Sequence, residues 1–428
     1  MICESKIDDI SSAKLGLKTL LLEKESFLGG SMTGGLVIPA MKSSENQINI
    51  DFFNDLVTMM KNLGGQVTYD DNKGWFNPEL LKIALDSMLI NSGVNILFNV
   101  DILRVDNSEG LFRIVYKNKL LSEYNDTIYT NNNLNNENIL LPCIKTIYLV
   151  DTTGNCEIGK ILNCNFLDKK DEIQPFSLRF IMSGINLKEF GDWLLDIDDD
   201  RQVTTVCEID GQTHLSTAFT WDTGRKWALL PYFEQGVKEG MLKPSDINYF
   251  QVFSVAGTPD SLAFNCPRLI ENNSNFSDDN ISKSLINGRS AILRLSTFCK
   301  KYFIGFKNAY ISNIANQLGI RSSRRIRGKY IYTLEDIISG KKFDNPVAVA
   351  NYPIDVHSKC KDGSVLKKVQ DYQIPIEALI SADYENFFVA GRCISTDFMA
   401  QGAIRVQPTC FSMGEGLAKY IASLTTLN

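Results

Sequence analysis

Residues 14–30 read KLGLKTLLLEKESFLGG, and this stretch decides how the 428-residue chain is organised. The apolar run Leu20–Leu22 has the character of a buried strand and ends in an acid, Glu23, with the pair Gly29 and Gly30 close behind. In a nucleotide-binding βαβ unit the second strand delivers a carboxylate to a ribose hydroxyl. That acid follows a G-x-G-x-x-G turn by about 20 residues. Counting back from Glu23 reaches MICESK, which has no glycine, and the first glycine of the chain is Gly16. The sequence therefore predicts the second half of such a site, with no room for a first strand and no phosphate-cradling turn. Glu4, Asp8 and Asp9 would repel a pyrophosphate, so no substitute turn is expected from residues 1–10.

Working outward, residues 9–18 predict a helix ending near Gly16. A second α/β unit is FNPELLKIALDSMLINSGVNILFNVDILRV, residues 76–105. Asn77 is placed to cap a helix and Pro78 occupies its favoured first position. Leu80, Leu81, Ala84, Met88 and Leu89 share a face, Gly93 is a stop, and Val94–Val100 reads as a strand. Residues 129–138, YTNNNLNNEN, predict a polar loop tip. Thr146–Val150 is a near-continuous apolar run, suited to a strand buried on both faces. Residues 165–345 have a different texture, with strand-like stretches and one long helical segment at 284–302. Thr333 with Asp336 forms a capping-box pattern and Gly340 a stop. α/β patterning returns at NFFVAGRCIS, and the last helix runs through SMGEGLAKYIASL.

Composition narrows the function. A net charge of −6 argues against a dedicated nucleic-acid binder, which would show a basic face. The 10 cysteines form no C-x-x-C pair, which leaves zinc ribbons and thioredoxin-type sites without support. Buried thiols in a reducing compartment are expected instead, and with them a cytoplasmic location. Only two histidines, His214 and His357, are present, too few to suggest a metal centre. No signal peptide or membrane-spanning stretch is visible.

Several segments together resemble the FAD-dependent oxidoreductases of the glutathione-reductase-like, two-dinucleotide-binding-domain type. They are KLGLKTLLLEKESFLGGSMTGGLV, YLVDTTGNCEIG, GIRSSRRIRGKYIYTLEDIISGKKFDN, YPIDVH and FFVAGRCISTDFMAQGAIRVQPTCFSMGEG, in order from about residue 11 to residue 424. The resemblance implies FAD as cofactor and a discontinuous α/β fold. A Rossmann-like FAD-binding domain lacking its first strand would comprise residues 1–165 and 370–428, with an inserted α+β substrate or cap domain at 166–369. Glu23 would take the adenosine ribose, and Gly29 and Gly30 would admit the backbone close to the cofactor. Thr153 and Gly154 of the DTTG turn would form a second crossing point. Gly391, Arg392 and Arg405 would lie near the pyrophosphate and flavin, with a helix N-terminus facing the flavin pyrimidine.

The run RSSRRIRGK clusters Arg321, Arg324, Arg325 and Arg327. Arg321 and Arg325 would share a strand face, and guanidinium forks suit carboxylate or phosphate, so a small anionic substrate is expected. His357 is a candidate for proton transfer or flavin contact, beside a core role. Two functions stand: a FAD-dependent oxidoreductase with impaired FAD binding, or a non-catalytic diverged relative serving as a binding or assembly subunit.

Overall fold

A computed structural model describes residues 2–3, 7–120, 141–169, 172–220, 226–269, 278–357 and 365–426. The expected loop tip at 129–138 lies outside them. At the centre is a five-stranded parallel sheet in the order Phe387–Val389, Leu149–Thr152, Ile2–Cys3, Leu20–Leu22, Asn95–Leu97. Ile2 is in register with both Leu22 and Asp151. This corrects the expectation of a missing first strand: a two-residue strand fills the central slot. The sequence holds too few residues there for a periodic signal, which is why it was not legible.

Phe387, Phe388 and Val389 pair with Leu149, Val150 and Asp151, joining segments far apart in the chain. Leu149–Thr152 is buried throughout, as a strand covered on both faces must be. The apolar run that contains it breaks in two. Cys143–Thr146 instead joins an antiparallel sheet with Leu111–Asn118 and Val100–Ser108. Likewise Val94–Val100 is not one strand: Asn95–Leu97 ends before Asn99, whose φ of 59° turns the chain into Val100–Ser108.

The helix Ile7–Lys14 precedes Gly16, and Pro78–Asn91 is capped by the Asn77 side chain on the N–H groups of Glu79 and Leu80. Leu81, Ala84, Leu85, Met88 and Leu89 form its buried face. The last helix is longer than expected, Gln407–Thr426, and packs along Pro346–Ala350.

The inserted unit is a six-stranded antiparallel sheet in the order Thr205–Ile209, Gln212–Thr220, Tyr249–Ser254, Leu262–Phe264, Phe180–Ser183, Tyr310–Ile314. Its own core is rich in phenylalanine, with the Phe233 ring 4.5 Å from those of Phe219 and Phe298. Residues 326–356 do not belong to it. Ile326, Tyr332, Val347, Ala350 and Val356 are buried in the same core as Leu149, Val150 and Phe388. The core of the inserted sheet draws on residues from about Phe176 to Ala315, and by Ile326 the chain is buried in the parallel-sheet core.

The turn after Leu149–Thr152 is held by Asp151, which is fully buried. Its Oδ1 accepts from the Thr153 N–H and hydroxyl at 2.9 and 2.7 Å, and its Oδ2 from Ile158 and Gly159 N–H at 2.7 and 3.1 Å. Burial raises its pKa, and these bonds oppose the rise. Asp151→Ala is expected to lower unfolding free energy by about 2–4 kcal/mol, read from urea titration, because several buried donors lose their acceptor together.

Candidate functional site

The carboxyl ends of three parallel strands open into one cavity of about 1480 Å³ between the sheet and the cap. Glu23, Gly30, Thr153, Asn155 and Arg392 line it on the sheet side, and Arg179, Tyr249, Arg268, Arg321 and His357 on the cap side. Open α/β sheets bind ligands at this edge.

Glu23 is 7% exposed and ends its strand, and its Oε1 accepts the Glu25 N–H at 2.9 Å. Gly391, at φ 88°, has nothing within 4 Å of where a Cβ would stand, so its backbone borders open space. Gly29, Gly154, Gly391, Arg392 and Arg405 line a smaller adjoining hollow. At Gly29, with φ 96°, a Cβ would lie 2.5 Å from Thr33 Cγ2, so the turn itself requires glycine. Thr153 spends its hydroxyl on Asp151 and on the Glu157 N–H, shaping the turn. Arg392 Nη2 donates to Asn155 Oδ1 at 2.9 Å, linking the two loops that flank the hollow.

On the cap side a chain of polar contacts begins at Arg405. Its Nη2 donates to Asp355 Oδ2 at 3.2 Å, and Asp355 faces His357 Nε2 at 3.3 Å. His357 Nδ1 lies 3.1 Å from Arg268 Nη2, and the Arg268 guanidinium stands 3.7 Å above the Tyr249 ring. A guanidinium only donates, so Nδ1 is the acceptor and the imidazole proton sits on Nε2, toward Asp355. Burial pushes His357 down to about 3, and the charges of Arg268 and Arg321 add to this against the pull of Asp355. Burial alone would raise Asp355, yet the His357 bond and the Arg405 and Arg321 charges hold it well below the usual carboxylate range. Near neutrality His357 is therefore a neutral link between Asp355 and Arg268.

Arg321 is 8% exposed, donates from Nη1 to Pro175 O at 2.8 Å, and is pushed down to about 9 by burial and by Arg268, Arg405 and Arg179. Arg325 is elsewhere: its Nη2 bonds Glu172 and Leu167 O, and it does not line the cavity. The shared strand face expected for Arg321 and Arg325 fails because residues 321–325 form no strand. Arg179, Arg268, Tyr249 and Asp355 were not singled out from sequence. The available signal was a lone cation inside an apolar stretch, SLRFIM for Arg179 and CPRLI for Arg268.

The profile of the family described as FAD dependent oxidoreductase matches residues 10–426. The chain belongs to that family. Its cofactor is FAD. A search of curated proteins returns no match. Among solved structures, the chain is similar to a flavoprotein/dehydrogenase from Cytophaga hutchinsonii at 11% identity, covering 99% of this chain and 78% of that one, with a TM-score of 0.44. It is similar to CmlS, a flavin-dependent halogenase, at 9% identity over 99% of this chain and 58% of that one, TM-score 0.45. A geranylgeranyl bacteriochlorophyll reductase-like protein from Thermoplasma acidophilum shares 10% identity over 100% of this chain and 78% of that one, TM-score 0.43. No described helix is long and apolar enough to cross a membrane.

The residues present fit the family's cofactor. An acid ends the second strand, an open backbone passage lies at Gly391, and the helix Gln407–Thr426 starts at the cavity wall through Gln407. The neutral state of His357 has a measurable consequence. The unfolded imidazole takes a proton as pH falls through 6.5, whereas the folded one waits until about 3, so stability is lost on acidification across that window. His357→Gln is expected to remove about 2 kcal/mol of the stability lost between pH 7 and pH 5, read from urea midpoints at both pH values.

Arg325 should behave unlike Arg321. Arg325→Leu leaves Glu172 without its buried partner and is expected to cost about 3 kcal/mol of stability while leaving ligand affinity within twofold. Urea titration and calorimetric ligand binding check the two parts.

Proposed function

We propose that this chain is an active oxidoreductase that uses FAD to oxidise or reduce a small anionic molecule held on the cap side of the cavity. The observation that supports this over a binding or assembly role is continuity. One cavity carries the ribose-type acid Glu23 on one wall and Arg179, Arg268 and Arg321 on the other. A scaffold subunit has no use for several buried cations facing the same space as a nucleotide site, since burying each is costly.

In this reading Glu23 takes ribose hydroxyls. The backbone at Thr153–Asn155 and Gly391–Arg392 borders the pyrophosphate. The N-terminus of Gln407–Thr426 stabilises negative charge near the flavin pyrimidine. Bound FAD supplies the electron transfer, and the protein supplies orientation and field. Arg321 attracts the anion, while His357 and Asp355 fix the direction of Arg268. Residues 1–10 contain no glycine, and partial retention of FAD through purification is part of the proposal.

The test measures flavin absorbance per chain after reconstitution with excess FAD, then anaerobic bleaching by a panel of small organic acids. Glu23→Ala is expected to weaken FAD binding about tenfold, the loss of one charge-assisted hydrogen-bond pair. Bleaching by an acid, and not by its neutral amide, supports the reading. A reconstituted protein that binds no FAD, or whose flavin is neither bleached by any anion nor, once reduced, reoxidised by one, overturns it.

A further inference from the structure

The 25-residue helix Asp278–Tyr302 packs on the inserted sheet and buries Gly288, Ile292, Leu295 and Phe298. Gly288 sets how close it comes, since a Cβ there would lie 2.9 Å from Leu178 Cδ2. The composition of this helix is unlike that of the rest of the chain. From Asn280 to Tyr302 it carries Lys283, Arg289, Arg294, Lys300 and Lys301 and no Asp or Glu, in a protein whose net charge is −6. The helices Asp51–Asn62, Pro78–Asn91, Leu187–Ile197 and Gln407–Thr426 each carry acids beside their lysines.

On its outer side Ile286 and Leu293 are 62% and 63% exposed. A single exposed apolar residue is ordinary, but these two are seven residues apart and lie within about 20° of one line along the helix. Arg289 and Lys300 fall roughly 40–60° to one side of that line, and Lys283 and Lys301 about 60° to the other. Ser290 and Thr297 continue the line with short, exposed side chains. Acids from neighbouring elements do not neutralise the face. Asp246 is held by Arg294 at 2.7 Å and Glu239 by Lys301 at 2.5 Å. Among the described residues Arg289 and Lys300 have no carboxylate within 4.0 Å.

We propose that this face docks on an anionic lipid surface, with Ile286 and Leu293 entering the headgroup region and Arg289 and Lys300 meeting the lipid phosphates and carboxylates. A helix lying in a membrane interface buries an apolar line and turns flanking cations toward the headgroups, which is the pattern seen here. The charge is complementary to such a surface, and the exposed apolar pair decides between anionic partners. RNA would meet the cations and leave Ile286 and Leu293 in water. The docking is lateral, since no described helix is long and apolar enough to cross a membrane. The same helix lends Ile281 and Leu285 to the cavity wall, so one element borders both the cavity and the outer face. The proposal goes beyond the oxidoreductase reading and needs no flavin.

The test is cosedimentation of the full-length protein, with and without added FAD, with vesicles of phosphatidylcholine alone or of equal parts phosphatidylcholine and phosphatidylserine. Binding to the anionic vesicles is expected to be about tenfold or more the stronger, and to fall steeply as salt is raised. Arg289→Gln and Lys300→Gln should each weaken it about fivefold, while Arg289→Lys and Lys300→Arg should preserve it. The double variant Ile286→Ser/Leu293→Ser should weaken it about tenfold through lost apolar burial. Lys188→Gln, an exposed cation on the helix Leu187–Ile197, should leave it unchanged. All these positions are exposed, and circular dichroism with thermal unfolding verifies that each variant keeps its fold.

Equal partitioning onto neutral and anionic vesicles, or onto neither, overturns the proposal. So does a loss in Lys188→Gln as large as in Arg289→Gln, which would make the effect one of overall charge. An unlabelled RNA oligonucleotide that displaces the protein from vesicles, with Ile286→Ser/Leu293→Ser binding as tightly as the unaltered chain, also overturns it and assigns the face to a soluble polyanion. Failure of the oxidoreductase reading shows differently, as vesicle binding that persists in a protein that takes up no flavin.

Discussion

The buried carboxylate of Asp151 is the constraint on which the site depends. It sits at the end of the strand that touches both Ile2–Cys3 and Phe387–Val389, and it accepts four hydrogen bonds from the turn and helix that follow. A buried carboxylate without those donors would cost several kcal/mol, so the turn has little freedom to adopt another shape. Asn155 is thereby placed where Arg392 reaches it, and the loops after two neighbouring strands are fixed relative to one another. The sheet-side wall of the cavity is a consequence of that one anchored group.

The cap-side wall follows a different logic. There the protein gathers positive charge and lets only part of it be neutralised from within. Arg268 is accommodated by stacking on Tyr249 and by a neutral imidazole, and Arg405 by Asp355. The result is a site whose electrostatics are set by rigid partners, with each guanidinium held by at least one fixed acceptor. Such preorganisation lowers the reorganisation needed when an anion arrives.

What could be read from sequence was chemistry that acts over a few residues. The Asn77 cap with Pro78, the Thr333–Asp336 capping box, the stop at Gly340 and the acid ending Leu20–Leu22 are local, and the structure shows each. Pairing partners were less legible. The run at Thr146–Val150 carries no mark that its two ends join different sheets, and the partner of Arg325 is 153 residues away in the chain. The strand at Ile2–Cys3 is too short for any periodicity to declare it. The site was half visible for the same reason: Glu23 and Gly391 lie in recognisable motifs, while Arg179 and Arg268 are single cations whose meaning depends on what the fold brings opposite them.

The interleaved sheet bears on how the chain comes off the ribosome. Strand Leu149–Thr152 is made long before its neighbour Phe387–Val389, so the parallel sheet stays incomplete through most of synthesis. The cap is contiguous from about Phe176 to Ala315 apart from Leu36 and Ile38, and its antiparallel partners are close in sequence. Short loop closures assemble sooner than long ones. The phenylalanine-rich insert can therefore condense first and hold the nascent chain compact. The edge of the sheet that borders the cavity is then the last part to close, after the strand Phe387–Val389 and the helix Gln407–Thr426 have emerged.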